Sequence, residues 1–141
     1  MRKKPITVLV TGGGAPGIAG TLYALRNNPD GVQVRVIACD MRDEVIGKYL
    51  ADEFYVVPSA ESPDFINALL EIADRRGVHV ILPQVTRELL PLAENLPRFE
   101  AQGIAVAVAQ RASIERANDK WTVLEAARAC GVPYPESMLT Y

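Results

Sequence analysis

Short apolar runs alternate with helical patterns along most of this chain. Residues 6–11 form a β-branched run that stops at glycine, the mark of a buried strand. Residues 16–27 then place Ile18, Leu22 and Leu25 on one face of a helix, with Pro16 suited to its first turn. The turn cluster Asn27-Asn28-Pro29-Asp30-Gly31 separates this helix from a second strand, "VQVRVIAC", over residues 32–39. A short helix at 43–50 leads to a third strand at 53–57, stopped by Pro58. Residues 63–76 read as a full helix, with Ser62 as its cap, Phe65, Ile66, Leu69, Leu70 and Ala73 as its apolar stripe, and Gly77 at its end. A fourth strand at 78–82, a helix at 86–96, a fifth strand at 104–108, a brief helical turn at 113–117 and a last helix at 119–130 complete the series.

Strands that are nearly continuous apolar runs, each separated from the next by a helix, belong in a parallel sheet covered on both faces. Right-handed crossovers turn that series into a doubly wound layer. The expected fold is therefore α/β, a Rossmann-like three-layer domain with a mainly parallel sheet of about five strands. After Cys130 the text changes to "GVPYPESMLTY", with two prolines and no further strand–helix unit. We read residues 1–117 as the Rossmann-like domain and 118–141 as the start of another segment.

Composition narrows the function. The 141 residues are 49% hydrophobic and 23% charged, enough for one core without staples. Fifteen basic and seventeen acidic residues give a formal charge of -2, which argues against a nucleic-acid partner. The basic tip Arg2-Lys3-Lys4 reads as a solvated terminus. No run approaches the ~20 apolar residues that span a bilayer, and no signal-peptide pattern is present, so a cytoplasmic location without membrane contact is expected. Cys39 and Cys130 have no CxxC spacing, and His79 is the one histidine, too few ligands for a Cys/His zinc site within one chain. Both cysteines sit among apolar residues and are expected to be buried thiols.

The chemistry concentrates where strands end. "VLVTGGGAPGIAG" puts Gly12, Gly13 and Gly14 at the carboxyl edge of the first strand, where parallel sheets bind ligands. Glycines there permit positive φ and close approach, and the next helix turns its free N–H groups toward the same place. A GxGxxG fingerprint can be laid on Gly12, Gly14 and Gly17, with Asp40 ending the second strand as a ribose-binding acid would. Against a dinucleotide, Pro16 removes an amide donor, TGxxxGxG does not fit, and no tyrosine has a lysine four residues on. A tight packing turn, an anion contact and NAD(P) all remain open for this loop. Capping of the following helix is the favoured reading of Asp40.

"LPQVTRELLPLAE" leaves the fourth strand at the same edge and projects Gln84, Thr86, Arg87 and Glu88 toward the cleft. Thr86 also reads as a cap, and an early carboxylate such as Glu88 suits the helix dipole by itself. The last helix starts at Asn118 or Asp119 and carries Lys120 in its first turn, against the dipole by ~0.3–1 kcal/mol. An anion in front of Lys120 would remove that penalty; a tolerated surface lysine is the alternative.

Together "VLVTGGGAPGIAG", "VIACDM", "VHVILPQVTRELLPLAE" and "ANDKWTVLEAARACGVPYPES" resemble the start of an ATP-grasp enzyme, especially the carbamoyl-phosphate synthase large-subunit-like group. The resemblance covers the whole chain, and Asp-Lys at a helix start followed by Gly-Val-Pro and another proline is its most specific part. It implies a pre-ATP-grasp domain over 1–117 and the opening helix of an ATP-grasp domain over 118–141. It implies that Lys120 reaches an ATP phosphate and that Gly12, Gly13, Gly14 and Glu88 face the substrate. The family's Asp-Glu-Glu-Leu-like text is replaced here by Thr86-Arg87 before Glu88. In the family, a carboxylate is activated as an acyl phosphate with ATP and magnesium, and a nucleophile, often an amine, displaces the phosphate.

The segments that the family uses for adenine, magnesium and the phosphate lid lie beyond the matched text. The expectation is thus a substrate-side domain of a carboxylate ligase. By itself it has no catalytic or metal-binding residues and no tight hold on ATP or Mg. Its expected partners are a small-molecule carboxylate, the remainder of the ATP-grasp domain and, through exposed Trp121 or Leu124, a second copy. An NAD(P)-binding Rossmann module and a stand-alone binding or regulatory domain are the alternatives.

Overall fold

In a computed structural model of the chain, which describes residues 4–138, five strands form one all-parallel sheet in the order β3-β2-β1-β4-β5. Arg2 and Lys3 of the basic tip, and residues 139–141, lie outside the described residues. The strands are β1 (Ile6–Val10), β2 (Val34–Asp40), β3 (Glu53–Val56), β4 (Val80–Leu82) and β5 (Ala105–Val106). Successive side chains on a strand point to opposite faces, and the sequence fills both with hydrocarbon. Leu9, Ile37 and Ile81 pack on one face against Phe65, Leu69 and Ala73 of α3 (Phe65–Arg76), Leu92 of α4 (Thr86–Glu94) and Phe99 of α5 (Leu96–Glu100). Val8, Val10 and Val36 pack on the other against Ile18 and Leu22 of α1 (Ile18–Arg26), with Leu50 of α2 (Ile46–Leu50) at the margin. The three-layer, Rossmann-like arrangement follows from that two-sided burial.

The apolar stripe expected on α3 is buried in full, joined by Ile72. Gly77 closes the helix in the left-handed conformation, φ 62°, and returns its N–H to the carbonyl of Ala73. Three local features differ from the sequence reading. The helix expected at 86–96 ends at Glu94; Asn95 breaks it, and Pro97 in the first turn of α5 starts a new helix. The ladder of β5 is only two residues long, as befits an edge strand. The turn expected at 113–117 is a full helix, α6 (Arg111–Asn118).

Residues up to Val108 pack as one compact unit, and those from Ala109 onward as a second. In the second, α7 (Lys120–Ala129) begins at Asp119, whose carboxylate accepts the Thr122 N–H at 2.9 Å. Helix α7 has no fully buried residue. Cys130, at its carboxyl end, is consequently exposed, which corrects the expectation of a buried thiol; Cys39 is buried on β2 as expected.

Candidate functional site

Chain order reverses between β1 and β4, and strand ends at such a switch point diverge to leave a crevice. A cleft of about 370 Å³ opens there. Its wall is built from the segments that leave β1, β2, β3 and β4 at their carboxyl ends, including Gly12, Gly14, Asp40, Arg42, Arg87 and Glu88. The loop after β3, from Val57 to Glu61, completes it.

Each flank of the crevice is tied to β1. On the β4 side, Thr11 extends the β1–β4 pairing by donating its N–H to Leu82, and its fully buried hydroxyl donates to Glu88 Oε2 at 2.5 Å. Glu88 is the third residue of α4, and the nearby backbone amides of Val85 and Gln84 favour its charged form. Burial pushes the Glu88 carboxyl above its ordinary value, and the charge of Asp40 adds to this, against the opposing hydrogen bond from Thr11 and those from the backbone. Burial, then Glu88 and Asp40, raise the Cys39 thiol well above its usual range, so it is an inert core group.

The glycines are pinned from both sides, Gly12 by the segment after β4 and Gly13 and Gly14 by that after β2. Gly12 takes φ +65°, and a Cβ on it would meet Val85 Cγ2 at 2.5 Å. Gly13 donates to the Cys39 carbonyl at 2.8 Å and accepts from Gly47 of α2 at 2.9 Å. Gly14 donates to Asp40 Oδ2 at 2.8 Å, and Ala15 donates to the Gly12 carbonyl at 2.9 Å. The N–H groups of residues 13–15 are therefore all engaged, two with β2 and one within the loop. Asp40 Oδ1 also accepts the Arg42 N–H at 2.9 Å. Helix α2 starts at Ile46, with Val45 before it and no side-chain cap. Asp40 is thus a clamp on the glycine loop, a correction to its reading as a helix cap.

The remaining candidates separate by position. Gly12, Gly14 and Glu88 line the cleft; Gly13 lies behind it, against β2 and α2. Arg87 reaches the cleft and pairs with Glu61 at 3.5 Å, both exposed. Gln84 turns away and accepts a hydrogen bond from the Thr21 hydroxyl at 2.8 Å. Val85, not Thr86, precedes the first turn of α4. His79 lies at the amino end of β4, away from the cleft, where its Nδ1 accepts the Thr7 N–H at 3.0 Å. Lys120, exposed, is the first residue of α7 in the second unit. Sequence reasoning missed Thr11, Arg42 and the 57–61 loop. A hydroxyl ending an otherwise apolar run was the available signal for Thr11; nothing local marked the other two.

Residues 8–107 match the family described as PylC-like, N-terminal domain. The chain belongs to that family. The PylC-like N-terminal domain accounts for every strand of the sheet, apart from the first two residues of β1. No curated protein sequence matches the chain. Several solved structures share its fold. N5-carboxyaminoimidazole synthetase from Staphylococcus aureus, complexed with ADP, is 17% identical with a TM-score of 0.58, over 93% of this chain and 31% of that one. N5-carboxyaminoimidazole ribonucleotide synthetase from Thermotoga maritima is 19% identical with a TM-score of 0.60, over 93% and 32%. Pyruvate carboxylase from Rhizobium etli is 18% identical with a TM-score of 0.59, over 95% and 13%. The PylC-like domain thus has the Rossmann-like fold of the N-terminal domain of ATP-grasp enzymes, and the chain spans a third or less of those proteins.

Proposed function

We propose that the chain is the substrate-side domain of an ATP-dependent carboxylate ligase of the ATP-grasp type. The observation that carries this reading is the cleft at the β1/β4 switch point, in a chain of the PylC-like N-terminal family. On this proposal Gly12, Gly13, Gly14 and Glu88 form the substrate side. Gly12 and Gly14 let a ligand approach the backbone, while Gly13 and Glu88 hold the two flanks in place. The small-molecule carboxylate enters between them, beside the guanidinium groups of Arg42 and Arg87, each of which also faces a carboxylate of the cleft.

Residues 1–117 then act as the pre-ATP-grasp domain, and 118–141 open the ATP-grasp domain that completes the enzyme. Lys120 fits one phosphate of ATP: an exposed ammonium in the first turn of a ten-residue helix, where the dipole favours an anion. ATP, when bound, supplies the phosphoryl group that activates the carboxylate for displacement by a nucleophile such as an amine. Among the described residues no group of three or more His, Cys, Asp or Glu side chains could hold a metal ion. On this reading magnesium and the catalytic residues belong to the rest of the ATP-grasp domain, and a carbamoyl-phosphate-synthase-like chemistry belongs to that complete enzyme. A cytoplasmic setting is part of the reading; among the described residues no helix is long and apolar enough to cross a membrane. Pairing of two copies through Trp121, which is exposed, or Leu124, which is half-buried, is part of the reading, and sedimentation of the chain tests it.

The test of the ligase reading follows oxygen. In the complete ligase, an ¹⁸O-labelled carboxylate substrate transfers one label to inorganic phosphate, and Lys120→Ala raises the KM for ATP or depresses turnover while the melting temperature barely moves. ATP kinetics untouched by Lys120→Ala would remove its phosphate role. Ligase turnover by residues 1–141 without a partner would overturn the assignment of catalysis elsewhere. The NAD(P) alternative is disfavoured because Asp40 is committed to Gly14 and Arg42; micromolar NADH binding, read by its fluorescence, would restore it.

A further inference from the structure

The glycine loop is a phosphate cradle in outline, yet it already contains an anion. Three donors converge on the Asp40 carboxylate. The Gly14 N–H lies 2.8 Å from Oδ2, the Arg42 N–H lies 2.9 Å from Oδ1, and the Arg42 guanidinium Nε is 3.6 Å from the same oxygen. Asp40 is buried and borders the cleft, whereas the Arg42 side chain is 65% exposed. Backbone N–H donors beside a guanidinium are what proteins use to hold phosphoanions. Here the protein's own carboxylate satisfies them.

We propose that Asp40 is the resident counter-ion of the glycine loop and a specificity-determining residue. It occupies the donors that a phosphate would need and excludes phosphoanions from the Gly12–Gly14 end of the cleft. Two further observations support exclusion rather than sharing. The neighbouring amides of Gly13 and Ala15 are spent on the Cys39 and Gly12 carbonyls, so the loop has no reserve donors at those positions. Charged residues lining the cleft are Asp40, Glu61 and Glu88 against Arg42 and Arg87, a formal excess of one negative charge that disappears when Asp40 is neutralised. A loop that resembles a dinucleotide fingerprint is in this way converted into a wall that rejects the dinucleotide's pyrophosphate. The inference concerns which anions the loop refuses, and it holds whichever carboxylate the cleft accepts.

The experiment adds inorganic phosphate at constant ionic strength to the full chain and follows the backbone amide resonances of Gly14 and Arg42. In the native protein neither resonance shifts saturably. In Asp40→Ala both shift, with an affinity at least roughly tenfold higher than any native binding, as expected when an anion's repulsion is removed and charge-assisted donors are released. Asp40→Asn keeps an acceptor but loses the charge, and binds with intermediate affinity; it also tests the idea should Asp40→Ala fail to fold. Saturable shifts in the native protein overturn the proposal, as does equally weak binding by native protein and every folded variant. Neither result bears on the ligase reading, since no carboxylate or ATP is present.

Discussion

Replacing Gly47 by alanine puts the close contact between α2 and the glycine loop to a quantitative test. A Cβ built on Gly47 lies 2.6 Å from the Gly13 carbonyl oxygen and 2.9 Å from Gly13 Cα, and both are backbone atoms that cannot rotate aside. Ordinary C···O contact begins near ~3.3 Å, so α2 must retreat by roughly 0.7 Å. The hydrogen bond from the Gly47 N–H to that same oxygen, now 2.9 Å, would stretch to about 3.6 Å and cease to be one. Losing a buried partner costs ~1–3 kcal/mol, whereas alanine's helical preference returns at most ~1 kcal/mol. With a mid-range cost of ~2 kcal/mol, the expected net is a destabilisation of ~1–2 kcal/mol, or a fall of ~0.5–1 M in the urea midpoint for a slope near ~2 kcal/mol/M. Gly20→Ala is the control: it lies inside α1 with nothing within 4 Å of an added Cβ. The same substitution there should stabilise by ~0.5–1 kcal/mol. Urea titrations followed by circular dichroism compare the two. A neutral or stabilising Gly47→Ala would refute the close-packing argument.

Three other outcomes are expected. Thr11→Val removes the buried hydroxyl bonded to Glu88 and should cost ~1–3 kcal/mol, while Thr11→Ser retains most of the stability; equal melting temperatures for Val and Ser would argue against the bond. The Glu88 carboxyl is held above its ordinary value, chiefly by burial, so the fold binds its proton more tightly than the unfolded chain does. Its contribution to stability is therefore fullest below the unfolded pKa and declines as pH rises through the folded one; Glu88→Gln should gain on the native protein over that interval, and denaturant curves at pH 4 to 7 would reveal a flat difference if this is wrong. Finally, a thiol reagent should titrate Cys130 at once and Cys39 only on unfolding, because the first is exposed and the second is buried with a raised pKa. Rapid reaction of both in the native protein would contradict the packing of β2.

Much of this architecture is legible in the residues because burial on both faces of a sheet leaves long apolar runs. The α3 stripe and the runs in β1 and β2 announce themselves without knowledge of their partners. Asp40 shows the limit of such reading. By position it could cap a helix or meet a ribose; what decides is a partner 26 residues earlier, Gly14, brought alongside only when β1 and β2 pair. Thr11 and Glu88 are 77 residues apart and meet only because β4 lies next to β1. Cys130 misleads in the opposite direction, since its apolar neighbours do not bury it. The end of α4 was legible to within two residues, while α5, a five-residue helix opened by Pro97, is too short to show an apolar period of its own.

The ties around β1 divide the cleft into parts with different tolerance to redesign. Thr11, Gly12, Gly13, Asp40, Gly47 and Glu88 are committed to one another or to neighbouring elements, so a substitution among them alters the frame before it alters recognition. Arg42, Arg87 and Glu61 project exposed side chains from that frame. Libraries that vary those three residues and Ser59, while leaving the committed set alone, would sample new ligand preferences on an unchanged scaffold.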